Sequence, residues 1–206
     1  MISAREGLAL LRDGNSRFVA DVRSLDSVSS RARRIQLAIR QEPFAAVIGC
    51  SDSRVPVEIV FDQGLGDLFV IRVAGNIVAP SQVGSVEFAA EHFGTRLVVV
   101  LGHSDCGAVV ATLDQLRRPK ENQSRNLRSI VDLVRPSVEG LLVNGHSQDM
   151  PELVHQAVRA NIRASANHLR HGSEIIEHLI RNDDLLVVGA EYSLKTGVVD
   201  FFDGVP

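Results

Sequence analysis

The chain has 206 residues, 45% hydrophobic and 23% charged, with a formal net charge of −3. That suits one domain, residues 1–206, with a real core. The slight acidity, the single Tyr and the lack of Trp argue against a nucleic-acid binder, which needs a basic face and stacking rings.

The start of the chain is not a cationic segment followed by an apolar stretch and a small-residue cleavage site, and no run approaches roughly 18 apolar residues. The expectation is a cytoplasmic protein with no membrane span. Residues 4–20 place Leu8, Leu11, Phe18 and Val19 on one helical face. Polar residues 24–30 read as a loop, and 31–40 as a second helix with its arginines on a solvated face. Then the pattern changes to short apolar runs at 44–50, 68–73, 97–103 and 185–190. Their Val and Ile content suits parallel strands buried on both faces. Helical segments are predicted between them, at 81–93, 107–116, 122–142 and 151–181, so the fold class is α/β with a mainly parallel sheet flanked by helices. Residues 197–202 read as a last, antiparallel edge strand.

Two of the apolar runs end in metal-competent residues: Cys50 in Cys-Ser-Asp-Ser-Arg at 50–54, and His103 in His-Ser-Asp-Cys-Gly at 103–107. Ligands of open α/β sheets bind beyond the carboxyl ends of strands. Cys106, three residues after His103, falls at a helix start, where the positive helix end favours a thiolate. Any one of these residues alone would read as a core cysteine or a turn histidine. Together, the chain's only two cysteines at two strand ends make two sulfurs and one imidazole, a Cys2His donor set that favours zinc.

These two motifs resemble the zinc-binding motifs of the beta-class carbonic anhydrases. The resemblance extends to 54–56, 66–72, 74–76 and 84–88 and covers roughly residues 5–203. It implies four parallel strands plus an edge strand, in a homodimer or homotetramer whose N-terminal helices pack on a partner. It implies one zinc per subunit on Cys50, His103 and Cys106, with Asp52 and Arg54 as a catalytic dyad. The implied reaction is reversible hydration of carbon dioxide to bicarbonate and a proton, with hydroxide generated on zinc and oriented by the dyad. Two thiolates offset the metal's charge, so activity is expected to rise into the alkaline range. In a closed state Asp52 would itself become a fourth ligand. Gln41, Phe69, Ala74, Phe88 and Gly107 match the family's substrate pocket, some of them across the dimer interface.

One subgroup of the family is shut down by bicarbonate in a pocket of Trp, Arg and Tyr. Arg72 and Tyr192 match the last two, but Val47 stands at the Trp position, so that regulation is not expected. The same scaffold also supports hydrolysis of carbon disulfide or carbonyl sulfide, and a closed four-ligand site would make a non-catalytic zinc protein. His92, His146, His155, His168, His171 and His178 carry no ligand pattern, and His168 with His171 reads as a surface helix pair.

Overall fold

A computed structural model describes residues 2–22, 31–119, 124–143 and 149–206. Five strands form one sheet: β1 (Ala45–Gly49), β2 (Leu68–Arg72), β3 (Leu97–His103), β4 (Leu186–Tyr192) and β5 (Val199–Asp203). Their order is β2-β1-β3-β4-β5; the first four are parallel, and β5 runs antiparallel to β4 at the edge. The central strands explain the apolar runs. Every residue of β1 and β3 is buried, and helices cover both faces. Each buried Val, Leu or Ile contributes about 1.5–3 kcal/mol relative to exposure.

On one face lies α1 (Ala4–Val19), started by a capping box between Ser3 and Glu6, with the short α3 (Val57–Val60) beside it. Leu8 and Leu11 of α1 pack with Val47, Val99 and Leu101 of the chain's own sheet. Between these two helices in sequence is α2 (Arg31–Leu37), which buries none of its residues. The opposite face carries α4 (Pro80–His92), α5 (Gly107–Arg117), α6 (Arg125–Val143), α7 (Met150–His171) and α8 (Glu174–Asn182). Gly102 lets α7 come close to β3: a Cβ there would lie 2.6 Å from the Ile162 side chain.

Several expectations change. The helix expected over 151–181 is two helices, broken at Gly172 and Ser173. Ser173 caps α8 through a bond from the Ile176 amide and donates to Glu87 of α4. A serine oxygen that satisfies a first-turn amide starts a new helix instead of continuing the old one. The second helix is shorter than 31–40, and Ile35 and Ile39 are exposed. β2 is only half-buried, because it is an edge strand. The turn helix α3 had no counterpart in the sequence reading. The loop at 24–30, the start of the helix at 122–142 and His146 lie outside the described residues. No described helix is long and apolar enough to cross a membrane.

Candidate metal centre

β1 and β3 are neighbours in register, Gly49 opposite Leu101, so the segments that follow them emerge side by side. Cys50 follows β1 directly and His103 ends β3. Asp105 takes a left-handed conformation, φ 53°, which turns the chain back so that Cys106 caps α5. The topology thus gathers three residues from two distant stretches. The donor atoms of Cys50, His103 and Cys106 all lie within 4.8 Å of one another, and all three residues are buried.

The imidazole is already oriented. His103 Nδ1 lies 2.9 Å from the Ser104 carbonyl, to which it donates. That tautomer leaves the Nε2 lone pair toward the sulfurs, and Nε2 is buried with no hydrogen-bond partner among the described residues. An orphaned acceptor nitrogen between two thiols fits a metal, and two sulfurs with one nitrogen fit zinc. Charge is shared unevenly across the cluster. The hydrogen bond from Cys106 draws the Cys50 thiol well below its ordinary range, and the same bond pushes Cys106 up. Burial presses His103 downward, but the adjoining Cys50 sulfur outweighs it and the net direction is up.

Asp52 sits at the rim. Arg54 grips both carboxylate oxygens, Nε to Oδ1 at 2.9 Å and the terminal nitrogen to Oδ2 at 2.7 Å, and the Arg54 amide donates to Oδ1 at 2.9 Å. These bonds hold the Asp52 carboxyl well below the usual carboxylate range. Asp52 Oδ2 lies 3.8 Å from His103 Nε2. With both oxygens committed to Arg54, the carboxylate faces the metal-competent group without belonging to it.

The expected pocket residues divide. Ala74 opens a 3-10 turn (Ala74–Asn76) zipped to the Cys50 loop by bonds between Val73 and both Gly49 and Ser51. Gly107 follows Cys106, and a Cβ on it would meet open space. Both therefore adjoin the cluster. Phe69 does not: it pairs with Ala46, four residues before Cys50, or roughly 13 Å along the strand. It packs at the β2 edge with Phe88, ring centroids 6.2 Å apart, and Phe88 is 45% exposed. Gln41 precedes β1 and lines a groove of about 800 Å³ with Leu37, Leu65, His92 and Phe93. Those residues belong to the end of the sheet where strands begin, so within one chain Gln41 is remote from the metal ligands.

Arg72 serves a purpose that its sequence position did not reveal. Its guanidinium clamps the metal loop, donating to the carbonyls of Cys50 at 3.0 Å and Asp52 at 2.6 Å. Tyr192 is buried beside Phe18 of α1, 6.3 Å between centroids, and Val47 is fully buried in the same cluster. Sequence reasoning also missed Gly75, whose amide donates to Cys50 Sγ at 3.3 Å. Only its place inside the family-like 74–76 segment pointed there.

The family model for carbonic anhydrase matches residues 45–199. A carbonic anhydrase of Mycolicibacterium smegmatis is 38% identical over 190 residues, 92% of this chain and 89% of that one. Among solved structures, the beta-carbonic anhydrase CafA of Aspergillus fumigatus superimposes with a TM-score of 0.77 at 25% identity, covering 98% of this chain and 92% of that one. A tetrameric beta-carbonic anhydrase of Sordaria macrospora gives a TM-score of 0.71 at 26% identity over 82% of this chain and 85% of that one.

Proposed function

The chain belongs to the beta-class carbonic anhydrase family, and on that premise we propose that it interconverts carbon dioxide and bicarbonate with a zinc ion held by Cys50 Sγ, His103 Nε2 and Cys106 Sγ. The observation that carries this is the buried sulfur–imidazole–sulfur group with an unpartnered Nε2, set against a carboxylate already paired to arginine. Zinc held there would acidify water and so supply hydroxide near neutral pH.

The remaining work falls to side chains. An ionised carboxylate only accepts hydrogen bonds. Asp52 therefore takes the proton-bearing side of the attacking hydroxyl and turns its lone pair toward the substrate carbon. Arg54 keeps Asp52 ionised and fixes its angle through the two-point contact. Arg72 holds the backbone of residues 50–52 that carries both the thiolate and the carboxylate. Gly107 has open space where a side chain would stand, and neither it nor Ala74 adds a polar side chain, which suits an apolar linear molecule. Gln41, Phe69 and Phe88 complete the pocket from the partner subunit in a dimer. Hydration consumes carbon dioxide and water and returns bicarbonate and one proton, which leaves to solvent.

The test is zinc content together with stopped-flow carbon dioxide hydration from about pH 6.5 to about 9. One zinc per chain and turnover rising with pH support the proposal. Bound zinc without turnover at any pH would leave a closed zinc-binding protein or a hydrolase of another small carbon compound.

A further inference from the structure

Asn161 of α7 is 2% exposed and has no part in the chemistry above. Its Nδ2 donates to the Gly75 carbonyl at 2.8 Å, in a buried setting. Gly75 in turn points its amide at Cys50 Sγ, 3.3 Å away. Gly75 sits between these two bonds with φ 72°, in the left-handed region, and a Cβ on it would lie 3.0 Å from the Ala108 side chain of α5. Glycine visits positive and negative φ about equally, so nothing intrinsic fixes the torsions that join the peptide carrying its amide to the peptide carrying its carbonyl. Outside contacts must set those torsions, and Asn161 is the side chain that holds the carbonyl end.

We propose that Asn161 is a positioning residue for the metal thiolate of Cys50, acting through Gly75. An amide aimed at a thiolate drains charge from sulfur, which stabilises the ligand and leaves the metal more acidic. Metal sites depend on such outer contacts for about 10–100-fold in affinity or activity. The inference rests on the zinc reading of Cys50, and it adds a residue from a helix that supplies no ligand. It also gives a reason for a buried amide on the apolar face of α7, among Ala157, Val158 and Ile162.

The experiment uses the full chain loaded with zinc or with cobalt(II). Asn161→Ala removes the donor. Asn161→Asp keeps the side chain's size while replacing the donor with an acceptor, and it serves if the alanine variant does not fold. Leu169→Ala, two turns further along α7 and fully buried, controls for lost packing on the same helix. Expected for the Asn161 variants is zinc transfer to a chromophoric chelator about 10–100-fold faster than wild type. The sulfur-to-cobalt charge-transfer band should move to lower energy, while Leu169→Ala leaves both readouts in place. Wild-type release and an unmoved band in folded Asn161 variants, or equal changes in Leu169→Ala, would overturn the proposal alone. A wild-type chain that holds no zinc would overturn the metal reading and this step with it.

Discussion

Replacing Asn15 with leucine tests how α1 is fastened to the sheet. Asn15 is 5% exposed and joins three segments. Its Nδ2 donates to the Val60 carbonyl at 3.1 Å and the Gly197 carbonyl at 2.8 Å, and its Oδ1 accepts from the Val199 amide at 2.8 Å. The bonds to Val60 and Val199 are buried, whereas the bond to Gly197 is only partly so. Leucine strands two groups where water does not reach, at about 1–3 kcal/mol each, or about 4 kcal/mol together. Its added apolar surface offsets about 1 kcal/mol of that. The net loss of about 3 kcal/mol is a large share of the 5–15 kcal/mol typical of a folded domain. At this chain length it lowers Tm by about 6–12 °C. The assay is urea unfolding of zinc-loaded protein followed by circular dichroism, with a thermal scan beside it. Asn15→Asp should be worse still: it keeps the bond from Val199 but sets a negative charge against two carbonyls. A leucine variant within about 1 kcal/mol of wild type, or an aspartate variant more stable than the leucine one, would refute the reasoning.

The dyad makes a coupled prediction: Asp52→Asn lowers kcat/KM about a hundredfold, Arg54→Gln lowers it by less, and the double variant is no worse than Asp52→Asn alone, with zinc content unchanged. Independent, additive losses would show that Arg54 does not act through Asp52. Because Arg54 holds the Asp52 carboxyl below its usual range, Asp52 is ionised throughout the assay window, and the expected alkaline rise in rate would belong to water. Asp52→Asn should therefore keep the midpoint and lose the plateau; a midpoint moved by more than about one pH unit would assign the titration to Asp52. A depressed carboxyl stabilises the fold above its unfolded pKa, and that contribution is lost as pH falls toward the lowered value, so acid titration of wild type should cost more stability than that of Asp52→Asn. Mixed oligomers of Gln41→Ala and Cys50→Ala chains should regain activity that neither parent has, since one site then combines an intact metal centre with the partner's glutamine. Mixtures no better than the parents would place Gln41 outside the pocket.

Much of this was readable beforehand, for a physical reason in each case. A strand buried on both faces has no room for alternation, so β1, β3 and β4 announced themselves as unbroken apolar runs. Ligands at strand ends follow from parallel topology, and the candidate ligands Cys50 and His103 lie at such ends, with Cys106 at the start of the next helix. What escaped notice depends on contacts between distant segments. The contact that ties the break at Ser173 to Glu87, 86 residues away, is one of these, although the serine cap itself is local. The half-burial of β2 needs the strand order, which no local pattern carries. The grip of Arg72 on two carbonyls across a loop appears only when β1 and β2 are paired. Asn15 and Asn161 sit on apolar helix stripes where a polar residue reads as an interruption until its partners are seen.

The central strands bury their whole length, and apolar side chains from helices on both faces pack against them. In zinc fingers the ion is a folding staple, and chelation unravels the chain. Here the ligands hang from the ends of a scaffold that hydrophobic burial already holds together. Stripping the zinc should silence the enzyme and leave the chain folded, ready to be reloaded. On the zinc reading the ion would then be a replaceable part, and inactivation by chelation should be reversible.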